Sequence, residues 1–204
     1  QWDRVMGPGF PPFAVVLTEP GAQDMVGPLH PVESVNWHDA AEFARRLGCE
    51  LPDEFAWERA LRAGSSTMYW WGEHPYGAEG LENLFDQAAS HLSIGVATAP
   101  WNDAYIVHAP VGSFEPNPFG LYDMAGNVAE WCSNWYRDDE PPDSAARRRS
   151  FRGGSWYTSP GYDDGQQVQH GAPYSAFRQA DNPRGLNQTR GVRLARPVET
   201  TDRG

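Results

Sequence analysis

Phe119-Gly120-Leu121-Tyr122-Asp123-Met124-Ala125-Gly126-Asn127-Val128-Ala129-Glu130-Trp131-Cys132 is the stretch on which the fold turns. It follows Pro116-Asn117-Pro118 and is answered later by Arg152-Gly153-Gly154-Ser155-Trp156 and Gly191-Val192-Arg193-Leu194. The segment begins with a turn, then runs Asp-x-x-Gly-x-x-x-Glu into Trp131 and Trp135. Asp123 and Glu130 lie seven positions apart with Gly126 between them, so their carboxylates converge only if the backbone curls around a common centre. Such a curl turns carbonyls inward, and a hard cation such as calcium takes carboxylate and carbonyl oxygens together. The spacing equally suits a plainer arrangement. In that one Asp123 caps a turn, Glu130 makes one buried ion pair and the tryptophans are core.

These motifs, in this order from about His30 to Arg196, resemble the formylglycine-generating-enzyme (sulfatase-modifying factor) family. The resemblance implies an α+β domain with a variant C-type-lectin fold and little regular secondary structure. It divides the chain into an irregular lead-in over 1–29, the domain over 30–196 and a tail over 197–204. A fold does not by itself deliver a function.

With 204 residues the chain suits one domain with a sizeable core. Hydrophobic residues at 40% and charged ones at 21% fit a folded globule. Gly 21, Pro 18 and Trp 9 together predict many irregular loops pinned by large aromatics. The formal net charge of -11, with arginine as the only basic residue besides histidine, repels nucleic acid and anionic lipid and favours cations. No apolar run approaches membrane-spanning length, and no signal-peptide pattern leads the chain. Cys49 and Cys132 fit two free thiols or one disulfide, so the compartment stays open, with an extracytoplasmic one favoured. The chain begins with Gln1, which suggests a processed product or a piece of something longer.

Along the chain, Gln1 to Leu29 reads as an irregular lead-in with one edge strand at Phe13–Leu17. Asn36 caps a helix whose apolar positions are Ala40, Phe43, Ala44 and Leu47, stopped by Gly48. Asp53 caps a second, carrying Phe55, Trp57, Ala60 and Leu61 and ending near Gly64. Tyr69-Trp70-Trp71-Gly72 reads as core aromatics beside a turn. Glu73 to Pro110 is weakly patterned, and a loop of that length needs something to hold it. Arg137 to Ser150 is a charged surface connection. Val192 and Leu194 alternate inward in a closing strand.

The resemblance implies two calcium sites. The first takes the Asn83 side chain, the Leu84 carbonyl, the Asp103 side chain and the Tyr105 carbonyl. Asn83 and Asp103 serve equally well in simple Asx turns. The second takes the Asp123 and Glu130 carboxylates with the Gly126 and Val128 carbonyls. The expected cofactor is therefore Ca2+, as one or two ions.

In the copper-dependent enzymes of the family, two cysteines soon after Gly-Gly-Ser bind Cu(I), which prefers thiolate. Here no cysteine lies between Ser155 and the terminus, so that chemistry lacks its ligands. His170 with Asp163 and Asp164 offers an incomplete alternative metal set. His38, His74, His91 and His108 have no spacing argument behind them. Ser155, Trp156, Tyr157, Tyr162, His170, Tyr174 and Arg178 form a candidate ligand-binding loop over 155–178, with rigid rings and adaptable polar residues between them. Lectin-like variable proteins of diversity-generating retroelements use a similar scaffold this way. The expected function is a non-catalytic, calcium-stabilised binding or accessory domain with a protein or small-ligand partner. The alternatives are a diverged metal-dependent oxygenase or oxidase and a subunit of a larger assembly.

Overall fold

The computed structural model describes residues 1–7, 27–92, 97–137, 139, 141, 146–160 and 173–197. The edge strand expected at Phe13–Leu17, the loop residues Tyr162, Asp163, Asp164 and His170, and the tail beyond residue 197 lie outside them.

Helix α1 spans Trp2–Met6, α2 Trp37–Arg46 and α3 Glu54–Arg62. The Asn36 side chain accepts from the Asp39 amide, and Asp53 accepts from the Phe55 and Ala56 amides. Both caps satisfy amides that the first turn leaves without partners. Helix α3 stops at Ala63, which takes a left-handed conformation at φ 46° one residue before Gly64. The α1 turn departs from the irregular lead-in expected there. Five residues cannot hold a helix alone, and α1 persists because Trp2 packs on Phe43 of α2 with ring centroids 4.6 Å apart.

Four strands, β1 (Ala129–Trp135), β2 (Arg149–Arg152), β3 (Gln179–Asp181) and β4 (Arg190–Gly191), form one sheet in the order β3-β2-β1-β4. β1 pairs antiparallel with β2 and parallel with β4, so the Asp123–Glu130 curl feeds directly into the central strand. The closing segment is shorter as a strand than its alternation suggests, because β4 holds two residues and Ala195 instead bridges to Glu50. One core cluster joins α1, α2 and the sheet through Val35, Phe43, Leu51, Trp131 and Phe151. A second sets Trp57 and Leu61 of α3 against Met124, Ala125 and Cys132. A third, around Ala78, Leu84, Ala99 and Trp101, sits under the long irregular region. Both cysteines are free.

Candidate functional site

The curl before β1 is held from three sides. Asp123 and Asn127 adopt positive φ angles of 56° and 61°, which short polar side chains tolerate. The Asn127 amide donates to the Asn83 carbonyl at 2.9 Å, and its Oδ1 accepts from the Ala109 amide at 2.9 Å. Asp123 Oδ2 accepts from the Gly112 amide at 2.8 Å, while Oδ1 is buried without a partner. Glu130 accepts from Arg193 Nε at 2.8 Å and from Trp57 Nε1 at 2.7 Å. Glu82, which the sequence reading did not single out, is buried beside them and accepts from Trp70 Nε1 at 2.7 Å. Burial, with Asp123 nearby, pushes the Glu82 carboxyl up to about 8, and burial also raises Asp123. Of these three buried acids, Glu130 is the one that pairs directly with Arg193. Asp123, Val128, Glu130 and Arg193 line a cavity of about 730 Å3 that also reaches His30 and Tyr122.

A second acidic centre lies under the long irregular region. Asn83 Nδ2 donates to the Val107 carbonyl at 2.9 Å, leaving Oδ1 buried without a partner. Asp103 Oδ1 accepts from the Tyr105 amide at 2.8 Å, and its Oδ2 is likewise buried and unpartnered. Burial, with Asp86 beside it, lifts the Asp103 carboxyl to about 7. Leu84 sits in the third core cluster. The Asp103 amide donates to Asp86 Oδ2 at 2.6 Å, which joins the two acidic segments at a residue that no motif spacing singled out, while Asn83 is tied to the later segment through the Val107 carbonyl.

The Gly-Gly-Ser turn forms one wall of a third feature, a polar cavity of about 380 Å3. Ser155, Tyr157 and Thr158 face Gln179, Asn187, Gln188, Thr189 and Arg190 across it. Thr158 Oγ1 accepts from the Ser155 amide at 2.9 Å, and Ser155 Oγ accepts from the Tyr157 amide at 3.2 Å. Among the described residues of the proposed ligand-contacting set, only Ser155 and Tyr157 line this cavity. Trp156 is buried core. Tyr174 packs on Phe177 with centroids 5.1 Å apart, and Arg178 is held by Glu54 through two bonds of 2.6 Å. Burial pushes the Cys132 thiol far above its ordinary range, so it carries no thiolate at neutral pH. His108 is buried with Nδ1 3.0 Å from Nδ1 of His30. Among the described residues, no three His, Cys, Asp or Glu side chains form a metal-holding group. No helix there is long and apolar enough to cross a membrane.

Short helices on a small sheet, a long irregular region and two acid-bearing loops define an α+β domain in which loops, more than strands, build the sites. The profile of the sulfatase-modifying factor enzyme 1-like domain matches residues 16–198, and the chain belongs to that family. It is 32% identical over 196 residues to a formylglycine-generating enzyme of Streptomyces coelicolor, covering 90% of this chain and 58% of the relative. It is 32% identical to serine/threonine-protein kinase pkn1 of Chlamydia pneumoniae, covering 83% of this chain and 24% of that protein. The chain therefore spans less than two thirds of either relative. Among solved structures, Treponema denticola variable protein 1 superposes with a TM-score of 0.65 at 20% identity, covering 96% of this chain and 80% of that one, which is a likeness of fold.

Proposed function

We propose that this is a non-catalytic binding domain in which calcium clamps the irregular half and a polar ligand or partner segment enters the cavity beside Ser155. The observation that carries it is continuity of hydrogen bonding between the acidic loop and the cavity wall. The Asn83 carbonyl accepts from Asn127, the Asn127 carbonyl accepts from Trp156 at 2.9 Å, and the Phe85 amide donates to the Thr158 carbonyl at 2.9 Å. A cation ordering Asn83 to Asp103 would therefore also order Ser155 to Thr158.

The donor set fits calcium, which takes neutral and anionic oxygens together. Asn83 Oδ1, Asp103 Oδ2 and Asp123 Oδ1 are buried oxygens without partners, a state that costs about 1–3 kcal/mol each when nothing answers it. Asn83, Leu84, Asp103 and Tyr105 would hold the first ion. Asp123, Gly126, Val128 and Glu130 would hold the second, with Glu130 shared with Arg193. When bound, calcium supplies charge compensation and cross-links loops distant in sequence. The cavity wall offers hydroxyl, amide and guanidinium groups, and Thr158 stands in the turn after Gly-Gly-Ser where thiolate chemistry would need a cysteine. The relatedness to pkn1, confined to 24% of that protein, supports reading the domain as a module of larger proteins. The name of the Streptomyces coelicolor relative favours a second reading, an oxidase that draws its metal ligands from other residues.

Metal analysis and native mass spectrometry separate the two. Purified protein is expected to carry calcium that a chelator removes, with a fall in Tm corresponding to about 2.7 kcal/mol or more for an ion at 100 times its Kd. Stoichiometric copper or iron in the purified protein would overturn the binding reading.

A further inference from the structure

We propose that Asp86 is a further ligand of the cation held by Asn83 and Asp103, making this a site with two carboxylates; the inference rests on the calcium reading above. Asp86 is fully buried, and its carboxylate is fixed from two sides. Oδ1 accepts from the Ala88 amide at 2.8 Å and Oδ2 from the Asp103 amide at 2.6 Å. The Asp103 side chain lies within hydrogen-bonding reach of it, so two carboxyl groups touch in the interior. No arginine or histidine pairs with either among the described residues. Like charges in contact in a low-dielectric interior repel strongly, so such a pair persists only with a shared proton or a shared cation.

Two further oxygens favour the cation. Asp103 Oδ2 and Asn83 Oδ1 are both buried and unpartnered, and Asn83 is 1% exposed. Asn83 stands three residues before Asp86 in the same loop. Its Nδ2 donates to the carbonyl of Val107, four residues past Asp103, which ties the Asn83 loop to the segment that carries Asp103. A shared proton answers one oxygen on each carboxyl and leaves the Asn83 amide oxygen unpartnered; a calcium-sized cation answers both carboxylates and the amide. Two carboxylates, an amide and backbone carbonyls form an all-oxygen set, and added ligand charge tightens such sites. The ligand class is thus a hard divalent cation, bound more tightly here than by Asn83 and Asp103 alone.

The test is calcium titration of the full chain, stripped with a chelator, followed by calorimetry and by Tm with and without calcium. Asp86→Asn is expected to weaken one site by about 10- to 100-fold and leave the Asp123 site unchanged. Its effect on Tm should be larger in calcium than in chelator, since without the ion it relieves the carboxylate contact. An equal loss of Tm in both conditions, or wild-type affinity in D86N, would overturn the role of Asp86 while leaving the calcium reading standing. A wild-type chain that binds no calcium overturns both. Should D86N not fold, Asp86→Glu keeps the charge one methylene further out and is expected to bind at least about tenfold more weakly; unchanged affinity in D86E overturns the proposal.

Discussion

Gly126 has no room for a side chain. A Cβ there would meet the backbone carbonyl of Asn83, and that carbonyl is already fixed by the Asn127 amide. Because the obstacle is main chain on both sides, it cannot swing away as a surface side chain would. Gly126→Ala must therefore push apart the loop carrying Asn83 and the curl carrying Asp123, and overpacking of this kind costs about 1–3 kcal/mol. Urea denaturation of G126A should show that loss, together with weaker calcium binding at both loops. A change below about 0.5 kcal/mol, the range of neutral surface substitutions, would mean the two segments are not in contact as described.

At the scale of elements, α3 is tied to the sheet and the distal loop through Glu54. The side chain is 3% exposed, and it accepts two bonds of 2.6 Å from Arg178 while Arg152 of β2 approaches to 3.6 Å. Arg152 also donates to Glu58 and to the Ser175 carbonyl, both at 2.7 Å. Removing one partner of a buried pair strands the other charge, so Glu54→Ala or Arg152→Ala should cost about 3–5 kcal/mol in a denaturant titration. Arg178 is 41% exposed on the side chain, and Arg178→Ala leaves buried Glu54 with Arg152 alone at 3.6 Å, so it should cost about 1–3 kcal/mol. Equal losses at Arg152 and Arg178 would show that burial does not set the energetics of this junction. Of these elements, α2 and α3 were legible in the sequence because Asn36 and Asp53 cap them and their apolar positions repeat locally. The strands were not, because β3 and β4 hold three and two residues and exist only through pairing with distant segments. The turn α1 escaped notice for the same reason, its stability lying in Phe43. At the candidate sites, Asn83, Asp103, Asp123 and Glu130, all but Asp103 buried, were proposed from motif order. Asp86 and Glu82 were not, because nothing local distinguishes a buried acid from a solvated one. Arg193 was quoted only as part of a closing strand, and its pairing with Glu130 joins segments 63 positions apart.

At the scale of the whole molecule, a set of buried titratable groups sets how stability should vary with pH. Burial, with His30 beside it, holds the His108 imidazole at about 4, below its ordinary value of 6.5. The unfolded chain therefore binds a proton there between pH 6.5 and 4 that the folded chain does not, and stability falls as pH drops through that window. Glu82 runs the other way. Its folded value of about 8 stands above the ordinary 4.5, so the folded chain keeps a proton that the unfolded chain has lost, and stability falls as pH rises from 4.5 to 8. Asp103, lifted from 3.8 to about 7, adds to the same alkaline slope. Between pH 4.5 and 6.5 His108 offsets one of the two carboxyls, which leaves a shallow fall there and a steeper one from 6.5 to 7. On the proposed calcium reading the ion would take the place of the proton at the buried carboxylates, so saturating calcium should flatten that fall, whereas chelator should expose it in full. Chemical denaturation across pH 4 to 9 tests each part separately. Glu82→Gln should remove much of the fall between pH 4.5 and 8 in chelator, and His108→Asn should steepen the fall between pH 4.5 and 6.5 without touching that above 6.5. An alkaline limb of the same depth with and without calcium would mean that no cation meets these carboxylates, and that the loops are held by protons and backbone amides alone.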